Sequence, residues 1–154
     1  MTEQQLKQLK EWWEDYAAGY FESATGSGMI RLKYHHTKRV AEESDRICDA
    51  LGLTMEARNL AHAIAILHDT GRFEQSARYG TFNDRLSENH ALLGLREIEA
   101  GGILDTLFPE DAGIIRDAVA NHNRRTIADG LDERTLFFSR LIRDADKLDI
   151  SHVF

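Results

Sequence analysis

One cysteine and one proline in 154 residues exclude several classes of protein at once. Cys48 has no partner for an intrachain disulfide, so a disulfide scaffold is excluded and a reducing cytoplasm is the expected compartment. With so little proline, long helices can run without interruption. No stretch approaches the roughly 20 apolar residues of a membrane span, and Met1 to Lys10 lacks the apolar core of a secretion signal. The chain therefore reads as soluble, with no membrane partner. Basic charge is also scarce: 19 Lys and Arg against 26 Asp and Glu leave a formal net charge of −7. A groove that tracks long nucleic acid needs a clustered basic face, which this balance disfavours. Small anionic substrates remain compatible, because a metal and a few local cations can outweigh the global charge. Sustained two-residue alternation, internal repeats and low-complexity segments are all missing.

What is present is helical periodicity in a chain that is 42% hydrophobic, enough to bury one ordinary core. The expected fold is all-α, a compact bundle of about six helices in a single domain spanning 1–154. Leu6, Leu9, Trp13, Tyr16 and Tyr20 recur at three- and four-residue steps and predict an amphipathic helix within 1–23. Ala24-Thr25-Gly26-Ser27-Gly28 breaks it, giving a loop over 24–29 ahead of a core over 30–154. Further helices are expected near 33–51, 54–68, 87–100, 110–122 and 132–150, with Thr54, Ser87 and Asp132 as N-caps. Gly71 reads as a breaker, and Thr70 to Leu86 as a long connection of the kind that is usually functional or disordered. It carries Arg72, Phe73, Arg78, Tyr79 and Phe82.

The most informative pair is His68-Asp69, at the end of the apolar run Leu60 to Leu67. An imidazole and a carboxylate at the edge of a buried helix cost desolvation unless something pairs with them, and a divalent metal is the usual partner. Periodicity tests which other histidines point inward. His36 continues the stripe of Val40, Ile47 and Leu51, whereas His35 falls on the polar side with Glu42 and Arg46. His122 extends the face of Ile115, Ala118 and Val119, and His68 that of Ala61 and Ile64. His90 falls in a first helical turn, where the helix dipole disfavours an imidazolium and favours the neutral ring that a metal needs. Gly94, one turn later, leaves space beside it. Several inward imidazoles and carboxylates in one interior would leave too many polar groups unsatisfied without a cation. His62 and His152 align with no second ligand and read as structural or exposed. For the last carboxylate, Asp144, Asp146 and Asp149 all lie on the margin of the apolar stripe, and periodicity does not choose among them.

At this point the chain resembles the HD-domain metal-dependent phosphohydrolases. The matching elements are His36-Thr37-Lys38-Arg39-Val40, Leu67-His68-Asp69-Thr70-Gly71-Arg72, His90, Asn121-His122 and Ala145-Asp146-Lys147-Leu148-Asp149, which together cover most of 33–149. In that family the aspartate of the alanine-aspartate pair is the ligand, and the resemblance selects Asp146. It implies one ion held by His36, His68, Asp69 and Asp146, with Asp69 bridging to a second held also by His90 and His122. Carboxylates and neutral imidazoles suit Fe, Mn, Zn or Co. The implied activity is hydrolysis of a small phosphoester or nucleotide by a bridging water acidified between the two ions, with no serine or cysteine nucleophile. Asp69 carries the catalytic role in that scheme, and Arg72 and Lys147 are the candidates for substrate phosphate.

Departures from relatives narrow the substrate by exclusion. Thr70-Gly71-Arg72-Phe73 follows His68-Asp69, without the acidic pair found there in alarmone hydrolases. Cyclic-di-GMP phosphodiesterases have a glycine-tyrosine-proline motif that is missing after Asp69, and a second adjacent histidine where this chain has Asn123. Two other readings share the ligand set: a di-iron oxygenase resembling myo-inositol oxygenase, and a non-catalytic sensing domain that keeps its metal for folding. Ile150, Val153 and Phe154 extend the apolar character of the last helix to the end of the sequence. The chain is therefore expected to be a short member of the family or a fragment, with an apolar end that offers a homodimer surface.

Overall fold

The structure, a computed structural model, describes residues 1–22 and 27–153. Among these residues eight α-helices run in the order α1 (Glu3–Phe21), α2 (Ser27–Leu51), α3 (Met55–Leu67), α4 (Gly71–Tyr79), α5 (His90–Ala100), α6 (Ile103–Leu107), α7 (Ala112–Asn121) and α8 (Glu133–Val153), with a 3-10 turn at Asp84–Leu86 before α5. Among the described residues there is no strand, and no helix is long and apolar enough to cross a membrane.

The helix α3 is the axis of the molecule. Its residues from Leu60 to Leu67 are buried apart from His62, and it packs against α1, α2, α7 and α8. A helix that is apolar nearly all round has to be surrounded, and its C-terminal end, His68-Asp69, is therefore delivered to the interior. Thr54 caps its start, the hydroxyl accepting from the Ala57 amide at 3.2 Å. Thr2 and Gln5 close α1 with a reciprocal capping box, and Asp132 caps α8 by accepting from the Thr135 amide at 2.7 Å. The stripe expected on α1 faces inward: Leu9 and Trp13 are buried, joined by Ala17, and Trp13, Tyr16 and Tyr20 pack around the ring of Phe73.

Phe73 belongs to the largest departure from the sequence reading. Half of the expected connection from Thr70 to Leu86 is the helix α4, and Gly71 starts it instead of breaking the chain. The inward face of α4 carries Phe73, Gln75 and Ser76, so only one of its buried side chains is large and apolar, and a hydrophobic period has nothing to register. Gln75 is fully buried because its amide is bonded to Asp84, Ser87 and the Glu88 carbonyl. Gly80 ends the helix at φ 65°, a left-handed cap that suits glycine. Two smaller corrections follow. Asn89 caps α5 in place of Ser87, its side-chain oxygen accepting from the amides of Ala91 and Leu92, while Ser87 is committed to Gln75 and Asn83. The helix α2 begins at Ser27, earlier than expected; residues 24–26 of the expected break lie outside the described residues. The side chains of the apolar C-terminal end and of His152 also lie outside them.

The crossing of α4 on α5 brings the two ends of the site together. A Cβ added to Gly71 would lie 1.9 Å from the His90 carbonyl oxygen and 2.6 Å from the Gly94 amide nitrogen. Backbone therefore touches backbone there, and this contact sets His90 beside His68-Asp69.

Candidate metal centre

Six side chains from separate parts of the chain meet at this crossing. His36 comes from α2, His68 caps the C-terminus of α3, Asp69 follows it, His90 opens α5, His122 caps the C-terminus of α7, and Asp146 stands on α8. Asp69 is at the centre. Its Oδ1 lies 3.2 Å from His90 Nε2 and 3.3 Å from His122 Nε2, while Oδ2 lies 3.4 Å from His36 Nε2 and 3.6 Å from His68 Nε2. Asp146 Oδ1 is 3.0 Å from His36 Nε2 and 3.6 Å from His68 Nε2, which joins it to the Oδ2 side. Each oxygen of one carboxylate thus faces its own pair of imidazoles. All but Asp146 are buried; its side chain is 20% exposed and marks the side on which the cluster opens.

The outer ring nitrogens explain why the inner ones converge. His68 Nδ1 is bonded to the Ala65 carbonyl and His122 Nδ1 to the Val119 carbonyl, both at 2.6 Å. A carbonyl can only accept, so Nδ1 carries the proton, and in the neutral ring the Nε2 lone pair turns inward. His36 Nδ1 meets Asp149 Oδ2 at 2.6 Å and His90 Nδ1 meets Asp84 Oδ2 at 2.9 Å, which orients those rings the same way. His90 Nε2 and His122 Nε2 consequently face each other at 3.0 Å with Asp69 beside both. Two lone pairs and an anion at that range repel unless a cation lies among them. On the other side His68 Nε2 and Asp146 Oδ1 are buried with no hydrogen-bond partner. Unsatisfied buried polar atoms of this kind call for an ion or water. The donor set of four imidazole nitrogens and two carboxylates fits one or two divalent transition metals.

The electrostatics have the same sign. Burial alone would push the Asp69 carboxyl up, but His68, Lys33, His122 and His36 hold it well below the usual carboxylate range. Burial likewise opposes Asp146, but the imidazoles of His36 and His68 beside it hold its carboxyl well below the usual carboxylate range. Burial would lower His36, yet Asp146 and Asp69 carry it up to about 9, and the field that raises it is the field a divalent cation would feel. Burial keeps His122 below its ordinary value and neutral, the form that binds metal.

The structure brings together the six side chains named from the sequence as candidate ligands, and His35 points out to solvent. His62 lies elsewhere, paired with Asp45 at 2.9 Å. The two phosphate candidates are placed differently. Arg72 is turned away from the cluster, its Nη1 bonded to Gln75, the Phe82 carbonyl and Asp84 at 2.8, 2.6 and 3.1 Å. Lys147 is exposed on α8 beside Asp146. The cation that does touch the cluster is one the sequence reading missed: Lys33 Nζ lies 3.2 Å from Asp69 Oδ2 and 5.6 Å from the centre of the Phe82 ring. It stands three residues before His36 on the same helix face, a spacing that could have found it. Asp84, which holds His90, was also missed, and Asp149, weighed from the sequence as a possible last ligand, stands instead behind His36. Asp149 is one turn beyond Asp146, whereas Asp84 sits in a stretch with no periodicity at all.

The family model described as HD domain matches residues 34–151. The chain therefore belongs to the HD domain family, within the superfamily of metal-dependent phosphohydrolases. Comparison with curated proteins and with solved structures gave no significant match.

Proposed function

We propose that this protein is a binuclear metal-dependent phosphohydrolase acting on a small phosphoester or nucleotide. The observation that carries the reading is Asp69, with Oδ1 facing His90 and His122 and Oδ2 facing His36 and His68. That geometry fits one carboxylate shared by two ions, with Asp146 completing the first half and the four imidazoles directing Nε2 inward. Two divalent cations there, Fe, Mn, Zn or Co, would acidify a water and polarise a phosphoryl oxygen. The chain supplies the rest. Burial of the imidazoles and Asp69 keeps bulk water from competing, and the Nδ1 partners fix ring direction. Lys33, 18% exposed at the rim, can swing its flexible stem from Asp69 to an incoming phosphate. Lys147 stands farther out and is suited to charge on the distal part of a substrate. In this reading Arg72 acts on the site through Asp84.

Purified protein supplied with Mn, Co or reduced Fe under anaerobic conditions is expected to hydrolyse members of a phosphoester and nucleotide panel. Asp69→Asn is expected to abolish the activity together with metal binding. Lys33→Ala should raise KM at least about tenfold while metal content stays at the wild-type level, since a surface cation gripping a ground-state phosphate affects binding more than turnover. Turnover that requires dioxygen, on a substrate without phosphate, would replace hydrolysis by the oxygenase chemistry that the same ligands allow. Metal binding with no turnover of any kind would leave a sensing domain.

A further inference from the structure

Behind the inner ligands lies a repeated arrangement. Asp149, which holds His36 Nδ1, is gripped by Arg39 through Nε at 2.7 Å and Nη2 at 3.2 Å. Asp84, which holds His90 Nδ1, is gripped by Arg72 at 3.1 Å. Each half of the centre therefore has one imidazole backed by an arginine-bound carboxylate and one, His68 or His122, backed by a backbone carbonyl. A carboxylate behind a ligating imidazole raises the basicity of its inner nitrogen and fixes its direction. The two relays differ in strength. Asp149 is 3% exposed, bidentate to its arginine and 2.6 Å from His36, whereas the Asp84 side chain is 32% exposed. Asp84 is also shared with Gln75, Asn123 and the His90 amide.

We infer that Asp149 and Asp84 are positioning residues that set the metal affinity of the two halves separately, so that the His36 half fills first and the His90 half is the weaker site. The inference rests on the binuclear reading above and deepens it. The unequal ligand count supports the same order, because Asp146 serves only the His36 half. Arg72 takes its role from this relay, through a carboxylate, and not from contact with substrate. The molecule contains its own control: Arg58, Asp45 and His62 form a similar chain, with Arg58 Nη1 3.6 Å and His62 Nδ1 2.9 Å from Asp45, but among the described residues His62 belongs to no group that could hold an ion.

Manganese titration of the chelator-treated full chain, followed by calorimetry and by the paramagnetic resonance of the bound ion, tests this. Wild-type protein is expected to bind in two resolved steps. Asp84→Asn should weaken the second step by about 10- to 100-fold and leave the first within twofold, whereas Asp149→Asn should weaken the first step by a similar factor. Arg72→Gln, one bond farther out, should weaken the second step by less than Asp84→Asn does. Asp45→Asn should change neither. Asparagine keeps the shape of each side chain, and an unchanged melting transition of the metal-free variants confirms that they fold. Equal weakening of both steps by both variants, or no change in either, would overturn the inference while leaving the binuclear centre intact. A wild-type protein that takes up only one equivalent overturns the two-ion reading and the inference together.

Discussion

His35 and His36 are neighbours in sequence with opposite surroundings, and the difference is one of helix face. His36 is buried against Asp69, Asp146 and Asp149, whereas His35 is exposed. We therefore expect His36→Ala to lose metal and His35→Ala to keep it, as read by elemental analysis of the purified variants. Equal loss from both would mean that α2 is not oriented as described. The same scale separates the two halves of the centre. Of the two Asp69 oxygens, His90 and His122 face Oδ1, so if the centre is binuclear as proposed, removing either should lower stoichiometry from about two ions per chain to about one. A variant lacking His122 that still binds two equivalents would contradict that assignment.

At the scale of elements, the crossing of α4 on α5 decides whether the site exists. Gly71→Ala places a methyl group inside the van der Waals radius of the His90 carbonyl, 1.9 Å away, and the contact is backbone on both sides. Neither partner can rotate aside, so we expect a loss of more than about 3 kcal/mol, the upper part of the range for overpacking. Metal should be lost with it, because His90 would be pushed from Asp69. Gly113→Ala on α7 is the matched control: nothing lies within 4 Å of its added Cβ, and the change should be neutral or stabilising by up to about 1 kcal/mol. Urea denaturation of the two variants measures the contrast, and similar curves would show that the crossing tolerates a side chain. At the start of α3, Thr54→Ala should cost about 1 kcal/mol by removing the cap on the Ala57 amide, with metal content unchanged.

For the molecule as a whole, metal binding at the proposed centre is expected to be linked to folding. The cluster joins α2, α3, α5, α7 and α8, so an ion held there stabilises the native state over the unfolded one. At free metal near 100 times the dissociation constant this contributes about 2.7 kcal/mol per site, which for a chain of 154 residues corresponds to a rise of roughly 5–11 °C in Tm. Calorimetric scans with and without chelator should show that difference, and Asp69→Asn should abolish it. A chelator-insensitive Tm in a protein proven to contain metal would mean that the unfolded chain binds the ions as well.

Helix identity was legible wherever a helix buries an apolar stripe, because a 3.6-residue period is written directly into residue order. Leu9 and Trp13 on α1, the run from Leu60 to Leu67 on α3 apart from His62, and Ile115, Ala118 and Val119 on α7 are all buried. The inward histidines were legible for the same reason, and the ordered ligand motif added Asp146. By contrast α4 was hidden, since its buried face is held by hydrogen bonds of Gln75 as much as by Phe73. The outer shell was hidden more deeply. Asp84, Asp149, Arg39 and Lys33 are ordinary surface charges until the chain folds, and their roles depend on partners up to 113 residues away. Sequence by itself determined the helical class, the inward faces and which side chains are candidate ligands, all of which follow from local periodicity and motif order. Only the tertiary structure decided that Asp69 faces two separate histidine pairs and that Arg72 turns toward Asp84, because those facts are set by helix crossings that no local pattern encodes.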